Sequence, residues 1–186
     1  MFVKEHSKQL IMSFEAKDRT RVILRPASVD DAQAIVDGVK EIIAEGTYLQ
    51  KEAVRTVSEE KQFIEDMIKK NNMYTVIEVN GEVMGIARII RGELKMKSHT
   101  GIFRTWLRKD AQGKGIGSRV MEYSIQWGQQ NQLHKICLTV FARNAVATKL
   151  YKKYGFIEEG VQREQVIING SFDDEIFMAR FLNDSY

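Results

Sequence analysis

The spacing of apolar residues along this chain predicts both helices and strands. Apolar positions within residues 32–43 recur every three or four residues, which predicts an amphipathic helix, and Ser28 or Asp30 stands where its N-terminal cap is expected. A second helix follows a cap at Thr56 or Ser58. The residues predicted to face inward from this second helix are Phe63, Ile64, Met67 and Ile68.

Short apolar runs bounded by turn residues predict the strands. Two of the turns are Asn-Gly pairs, at residues 80–81 and 169–170, and this pair indicates a hairpin because both residues tolerate positive φ. A short helix is predicted from Asn144 to about Tyr154, and Gly155 ends it as a C-terminal cap. The predicted strands are residues 9–14, 21–24, 74–79, 83–90, 100–107, 135–141, 165–168 and 175–181.

A glycine-rich stretch joins the predicted strand 100–107 to a helix. Three glycines alternate over residues 113–117, where an apolar helical face begins at Ile116. This strand, the helix and the strand 135–141 form a unit that needs a crossover connection, so the two strands should be parallel. Because the hairpin strands are antiparallel, the prediction is a mixed sheet with helices on both faces.

Composition favours a single domain with no nucleic-acid or membrane partner. The chain has 186 residues, 44% of them hydrophobic, which suffices for one sizeable core. Its net charge of +3 is mild, and basic and acidic residues are interspersed, unlike those of a dedicated nucleic-acid binder. No stretch is long enough to span a bilayer, and the N-terminus lacks the apolar core of a signal peptide.

Cys137 is the only cysteine, which excludes an internal disulfide and is typical of a reducing, cytoplasmic setting. It lies in a predicted strand and is interpreted as a small core residue, with a nucleophilic role as the alternative. No His/Cys cluster has the spacing of zinc ligands. We therefore predict no metal.

The glycine loop, residues 112–118, is the first candidate for chemistry. Glycines let a ligand approach the backbone closely, and the first amides of a helix have no internal partner. Such a junction favours an anion, typically a phosphate. The pattern fits neither a Walker loop nor a dinucleotide-binding fingerprint. An ordinary flexible turn is the alternative interpretation.

The pattern Gln-x-x-Gly-x-Gly at residues 112–117 resembles the phosphate-binding loop of the GNAT (Gcn5-related) N-acetyltransferases. Two further motifs stand in the same order as in that family. They are Asn144 after a strand with Leu-Thr-Val, and the segment Leu-Tyr-Lys-Lys-Tyr-Gly-Phe at residues 150–156. The resemblance covers about residues 21–182 and is nearest to the small-molecule amine and amino-acid acetyltransferases.

This resemblance implies a single-domain α/β fold. The sheet is expected to be mixed and mainly antiparallel, with a central parallel pair splayed to admit CoA and helices on both faces. Residues 21–186 are expected to form the acetyltransferase domain. Residues 1–20 are expected to be an N-terminal extension that includes a hairpin strand.

The resemblance also implies acetyl-CoA as the co-substrate, without a metal. The residues that it assigns to CoA binding are Leu107, Gln112, Gly113, Lys114, Gly115, Ile116, Gly117, Ser118, Asn144 and Tyr151. Asn144 is also a preferred helix cap, so a local role, a binding role or both stay open. Lys114 and Arg119 are candidate charge partners for the phosphates, with a solvated position as the alternative.

Acetyl transfer requires that the amine lose a proton, that the oxyanion be stabilised and that the CoA thiolate leave. The resemblance places a stabilising backbone amide at Leu107 and the Tyr151 hydroxyl near the sulfur as general acid, with packing alone as the alternative for Tyr151. His99 is a candidate base because histidine side chains commonly exchange protons near neutral pH, and Glu45 lies in the loop that walls the family's acceptor site. Some family members instead deprotonate the amine through ordered water.

The predicted acceptor is a free amino acid or a similar small primary amine, and assembly as a homodimer is left open. The acceptor wall should come from residues 44–58 and from the hairpin at residues 169–170. These stretches offer carboxylates and aromatic rings, namely Glu45, Tyr48, Glu52, Phe172, Asp173 and Asp174. A protein N-terminal or lysine acetyltransferase and a non-catalytic CoA sensor are the alternative functions.

Overall fold

The apolar strand residues build one mixed sheet in the computed structural model, which describes residues 9–46 and 53–182. Its strands in these ranges are β1 (Met12–Glu15), β2 (Arg21–Pro26), β3 (Met73–Val79), β4 (Glu82–Arg91), β5 (Thr100–Leu107), β6 (Lys135–Phe141), β7 (Ile157–Ile168) and β8 (Ser171–Phe181). The α-helices are α1 (Ala32–Ala44), α2 (Val57–Lys69), α3 (Ile116–Gln130) and α4 (Ala145–Lys153). The spatial strand order is β1-β2-β3-β4-β5-β6-β8-β7. Both Asn-Gly pairs lie at the predicted hairpin turns, residues 80–81 and 169–170.

β5 and β6 form the parallel pair that the crossover through α3 predicts, and the other strand pairs of the sheet are antiparallel. The parallel ladder is short, from Thr100 opposite Lys135 to Ile102 opposite Cys137. Both strands continue beyond it, β5 as far as Leu107. The two strands therefore part, and the predicted splayed centre is confirmed.

Helices cover both faces of the sheet, as predicted. α1 and α2 pack on one face, where Ile35, Ile64 and Trp106 are buried. α3 packs on the other face through Val120 and Tyr123, and α4 lies beside it. We call these the α1–α2 face and the α3–α4 face. Successive strand residues alternate between the two faces, so each strand contributes to both cores.

The helix ends follow capping rules. Thr56 begins α2, where its hydroxyl accepts a hydrogen bond from the Glu59 N–H at 3.2 Å and its N–H donates to the Glu59 carboxylate at 2.7 Å. One turn of 3₁₀ helix precedes α1, and the Ser28 N–H donates to the Asp31 carboxylate there at 2.8 Å. Gly155 follows α4 with a φ of +78°, as a C-terminal cap requires.

The N-terminal hairpin of β1 and β2 is confirmed, although β1 begins only at Met12. This hairpin packs beside α3 and the glycine loop. The Tyr123 hydroxyl donates to the Leu10 carbonyl at 2.7 Å, and the Lys17 N–H donates to the Lys114 carbonyl at 3.1 Å. The segment before β2 therefore contacts the region that the sequence singles out for phosphate binding.

Two predicted details are wrong. Ile68 is 62% exposed, because the buried stripe of α2 runs through Glu60 and Met67 and leaves Ile68 at its edge. β7 begins at Ile157, well before the predicted start at residue 165. Most residues of β7 are exposed on both sides, so its sequence lacks the apolar alternation that identifies a strand.

The position of α2 is testable with two matched substitutions. Ile64→Ala should lower the free energy of unfolding by about 2–5 kcal/mol, because Ile64 is fully buried and its truncation leaves a cavity. Ile68→Ala removes the same atoms from an exposed position and should change the free energy of unfolding by less than about 0.5 kcal/mol. Urea denaturation followed by circular dichroism measures both. Equal losses would contradict this orientation of the helix.

Candidate active site

The parted ends of β5 and β6 leave backbone groups facing an opening in the sheet. The Arg108 N–H donates to the Met84 carbonyl at 2.8 Å, and the Gly92 N–H donates to the Thr100 carbonyl at 3.0 Å. These bonds set the alternation of the β4–β5 ladder, in which even-numbered residues of β5 bond to β4 and odd-numbered residues face β6. The Leu107 N–H therefore points into the opening, beyond the point where β6 pairs with β5.

A cavity of about 140 Å³ occupies this opening and has walls on both faces of the sheet. On the α3–α4 face its wall includes Phe103 and Tyr151. On the α1–α2 face its wall includes Ile35, Tyr74 and Arg88. The cavity therefore connects the two faces at the place where the strands separate.

The glycine loop follows β5 and presents a row of backbone donors. Gly113 and Gly115 have φ angles of +74° and +83°, which residues other than glycine rarely adopt. The N–H groups of residues 113–117 have no hydrogen-bond acceptor within the described part of the chain. The Gln112 amide donates to the Leu107 carbonyl at 2.9 Å, which fixes the loop to the end of β5.

The first turn of α3 completes the loop. Ile116 is buried in the core, and Gly117 lies against α4, where an added Cβ would come within 3.2 Å of Leu150. The Ser118 N–H donates to the Gly115 carbonyl at 3.2 Å. The helix dipole adds positive potential at this end of α3. The junction is therefore suited to binding an anion.

The basic side chains of the loop are already paired. Lys114 Nζ lies 2.9 Å from the Asp18 carboxylate, and Arg119 Nη1 lies 2.5 Å from the Glu122 carboxylate. Hydrogen bonds from Thr20 and Lys114 lower the pKa of Asp18 to about 2, so this carboxylate is ionised at neutral pH. The loop therefore shares its positive side chains with neighbouring carboxylates.

Tyr151 lies in α4 with a buried ring that borders the cavity. The ring packs edge-on against Phe103, with centroids 6.4 Å apart, and against Phe156 at 5.9 Å. Burial raises the pKa of Tyr151 to about 12, and the positive charge of Arg104 partly opposes this rise. The hydroxyl is therefore protonated at neutral pH and available as a donor.

Asn144 caps α4 and also borders the cavity. Its side-chain oxygen accepts a hydrogen bond from the Ala147 N–H at 3.1 Å, and its backbone carbonyl accepts one from the Thr148 hydroxyl at 3.0 Å. The cap uses only the side-chain oxygen, so the Nδ2 group is still able to donate to a ligand. The structure brings Asn144 and Tyr151 together at one cavity.

The two candidate bases lie away from this cavity. His99 precedes β5, at the end of the strand opposite to Leu107, where its carbonyl accepts a hydrogen bond from the His134 N–H at 2.8 Å. Glu45 follows the last turn of α1 and is exposed. Neither residue belongs to the lining, and the structure does not bring either one together with Tyr151.

Part of the predicted acceptor wall reaches the cavity. Arg55, from the segment 44–58, contributes to the lining, whereas Tyr48 and Glu52 lie outside the described residues. Three predicted residues of the last hairpin are described but do not belong to the lining: Phe172, Asp173 and Asp174. Asp173 instead accepts a hydrogen bond from the Arg143 N–H at 3.2 Å.

Sequence reasoning missed a polar cluster on the α1–α2 side of the cavity. Arg55 Nη1 donates to Glu60 Oε2 at 3.0 Å, and the Tyr74 hydroxyl donates to Glu60 Oε1. The guanidinium carbons of Arg55 and Arg88 lie 3.8 and 5.4 Å from the centroid of the Phe63 ring. Burial raises the pKa of Tyr74 well above its usual value.

Two sequence signals point to this cluster. Glu60 falls on the same helical stripe as Ile64 and Met67, where a charged residue is unexpected. Arg88 interrupts the otherwise apolar centre of β4. Each signal indicates a charge near the core, but neither identifies the groups that meet it.

Cys137 lies half-buried in β6, and burial raises the pKa of its thiol, which disfavours the thiolate that a nucleophile requires. In residues 9–46 and 53–182, no group of three His, Cys, Asp or Glu side chains is placed to hold a metal ion. Over the same ranges, no helix combines the length and apolarity needed to cross a membrane.

Comparison with known families and curated proteins identifies acetyltransferases as relatives. The family described as "Acetyltransferase (GNAT) family" matches residues 39–156. The L-amino acid N-acetyltransferase AaaT of Escherichia coli K12 is 33% identical over 103 residues, which are 55% of this chain and 64% of that protein. The spermidine N(1)-acetyltransferase of Vibrio cholerae is 30% identical over 120 residues, 60% of this chain and 66% of that protein. The chain thus spans less than two thirds of the length of either relative.

Solved structures share the whole architecture. An acetyltransferase of the GNAT family from Streptococcus pneumoniae superposes with a TM-score of 0.82 at 26% identity, over 87% of this chain and 99% of that one. A phosphinothricin acetyltransferase from Sinorhizobium meliloti, in complex with acetyl-CoA, superposes with a TM-score of 0.81 at 19% identity, over 88% and 89% of the two chains. At 19% identity, the second match shows only that the two proteins share a fold.

Substitution of Asn144 separates its two candidate roles. Asn144→Ala removes the cap and should lower the free energy of unfolding by about 1 kcal/mol, whereas Asn144→Ser keeps a capping oxygen and most of that stability. Both variants lose the Nδ2 donor, so both should bind acetyl-CoA about 3–10-fold more weakly. Thermal unfolding and calorimetric titration measure the two effects. If Asn144→Ser binds acetyl-CoA with wild-type affinity, Asn144 caps α4 but does not contact the ligand.

Proposed function

Because the chain belongs to the GNAT family of acetyltransferases, we propose that it transfers the acetyl group of acetyl-CoA to a primary amine of a small molecule. The amine nitrogen attacks the thioester carbon and forms a tetrahedral intermediate, which collapses as the carbon–sulfur bond breaks. The nitrogen loses one N–H proton as the intermediate collapses, and that proton ends on the CoA sulfur. The observation that carries this proposal is the cavity through the separated strands, with Tyr151 in its wall and the Leu107 N–H facing the same opening.

The glycine loop supports binding of the acetyl-CoA pyrophosphate. The N–H groups of residues 113–117 are available as donors, and the N-terminus of α3 adds the favourable end of a helix dipole. Because Gln112 is bonded to the Leu107 carbonyl, the loop lies directly beside the opening. The pantetheine arm would then run from the loop into the gap between β5 and β6.

The Leu107 N–H supplies the donor for the oxyanion in this mechanism. It faces the opening because β4 takes the N–H groups of the alternate residues and β6 no longer pairs there. A backbone donor aimed at a developing oxyanion stabilises the transition state by about 2.7–4 kcal/mol. The donor is held by a strand, so it needs no reorganisation as the charge forms.

The acceptor is an ammonium at neutral pH, so it must first release a separate proton to water before it attacks. An alkyl ammonium of pKa ~10 lies about three pH units above neutrality, so its deprotonation costs about 4 kcal/mol. His99 and Glu45 lie away from the cavity. Glu60 does line the cavity, but its carboxylate is bonded to Arg55 and Tyr74. We therefore assign the proton relay to water rather than to a side-chain base.

Tyr151 assists the departure of the sulfur. Its pKa of about 12 keeps the hydroxyl protonated at neutral pH, so the group donates a hydrogen bond as charge develops on the thiolate. Any proton that the sulfur takes from Tyr151 is replaced by the one that the amine releases. The tyrosine therefore ends each cycle in its starting state.

Calorimetric titration with acetyl-CoA and with free CoA tests the first step of this proposal. We expect both to bind, and no binding at millimolar ligand would contradict it. A thiol-release screen across amino acids, polyamines, aminoglycosides and N-terminal peptides then tests turnover. Release with peptides alone would favour a protein acetyltransferase, and CoA binding without any release would favour a sensor.

Tyr151→Phe tests the role of the hydroxyl. Turnover should fall by about 10²–10⁴, the range for a positioned acid, while the affinity for acetyl-CoA stays nearly unchanged. Tyr154→Phe is the matched control, because the Tyr154 hydroxyl donates to Glu122 at 2.9 Å and does not line the cavity. Stopped-flow or steady-state thiol release gives both values. If turnover is unchanged in Tyr151→Phe, the Tyr151 ring only packs in the core and its hydroxyl has no catalytic role.

A further inference from the structure

The cavity wall on the α1–α2 face carries more positive than negative charge. Arg55, Arg88 and Arg104 line it, and Glu60 is the one lining carboxylate within the described ranges. Arg88 and Arg104 are direct neighbours in the β4–β5 ladder, so their side chains leave the sheet on the same face. Like charges in this arrangement are unfavourable unless an anion lies between them.

Two carboxylates lie near these arginines, and neither forms a hydrogen bond to Arg88 in the described residues. Glu60 is only 2% exposed, and its two oxygens bond to Arg55 and Tyr74. Glu175 of β8 lies close enough to Arg104 that its charge raises the pKa of that guanidinium, against the larger lowering by burial. Within residues 9–46 and 53–182, no carboxylate forms a salt bridge with Arg88.

Arg88 carries a buried donor that lacks a hydrogen-bond acceptor among the described residues. Its Nε is buried and has no hydrogen bond to any described residue. Burial lowers the pKa of Arg88, the charges of Arg55 and Arg104 act in the same direction, and Tyr74 and Glu60 partly oppose this lowering. A buried donor without an acceptor is rare in native proteins and points to a missing ligand. The complementary group is a carboxylate, which accepts two parallel hydrogen bonds from one guanidinium.

We infer that the acceptor is a small amine that carries a carboxylate, as an α-amino acid does, and that Arg88 binds this carboxylate with Arg104 beside it. The inference rests on the proposed function, because it names the acceptor of the same cavity. A carboxylate on the α1–α2 side leaves the adjacent amine to meet the thioester in the opening between β5 and β6. A polyamine fits poorly, because its remaining ammonium groups meet guanidiniums instead of carboxylates.

Matched acceptor pairs test the role of the carboxylate. Each pair is an L-amino acid and the amine that lacks only its carboxylate, for example phenylalanine with phenethylamine, and spermidine is added as a cationic acceptor. In thiol-release assays we expect kcat/KM to be about 10²–10³-fold higher for the amino acid, as for other desolvated charge pairs. Equal values within pairs, or a preference for the amines or spermidine, would overturn the inference while the acetyltransferase proposal stands.

Arg88→Gln identifies the recognising residue. It should raise KM for the amino acid about 10²-fold and leave the Kd for acetyl-CoA unchanged. The ratio of kcat/KM between the amino acid and its matched amine should therefore fall towards one. Arg88→Lys keeps the positive charge and should restore part of the preference in kcat/KM for the amino acid over the amine. Arg91→Gln on the same strand is the control, because Arg91 does not line the cavity. An equal loss for both members of a pair would mean that Arg88 only supports the structure, and would overturn the assignment.

A binding measurement decides the inference without turnover. The N-acetyl amino acid is titrated into the wild-type protein and into Arg88→Gln, with the N-acetyl amine as its neutral counterpart. We expect the wild type to bind the carboxylate-bearing compound and Arg88→Gln to bind it about 10²-fold more weakly. Equal affinity in the two proteins overturns the inference. Circular dichroism melts confirm that the variant is folded at the temperature of the titration.

Discussion

The early end of the parallel ladder between β5 and β6 is the constraint on which the rest of this structure depends. A sheet that continued there would pair the Leu107 N–H and fill the volume of the cavity. The strands are able to separate because each has an antiparallel partner on its other side. β4 holds β5 from Gly101 to Leu107, and β8 holds β6 from Lys135 to Phe141. Backbone groups left open in this way need another partner, so the separation itself creates a place for a ligand.

On the α1–α2 face, charged side chains replace apolar packing next to the cavity between β5 and β6. Arg55, Glu60 and Arg88 stand close to a core that otherwise consists of residues such as Ile35 and Ile64. A buried ion pair is seldom more stabilising than apolar residues of equal volume, and a guanidinium without a partner is less so. Stability therefore does not account for the cluster, and this is the reason for proposing that it recognises an anion. The fold tolerates it because the two apolar cores supply the rest of the cavity wall and extend well beyond it.

Hydrophobic periodicity predicted nearly every element, because most strands and helices bury one face. It failed where burial does not follow that rule, as in β7, which is exposed on both sides. The chain order also predicted the parallel pair, since a strand–helix–strand unit has few ways to connect. The proposal of His99 as a base overlooked strand direction. His99 precedes β5, whereas the cavity is lined by Phe103 to Trp106 of that strand, which lie about 13–23 Å further along it.

The two halves of the site differ in how the sequence encodes them. The proposed phosphate-binding half is a continuous loop, residues 112–118, whose glycines set the backbone geometry directly, so the motif is visible in the sequence. The proposed acceptor half draws Arg55 from the segment before α2, Arg88 from β4 and Arg104 from β5. Arg88 lies opposite Arg104 only because of the ladder register, and a shift of one residue would move a side chain to the other face. The juxtaposition of these arginines is therefore a property of tertiary pairing, which neither composition nor local spacing contains.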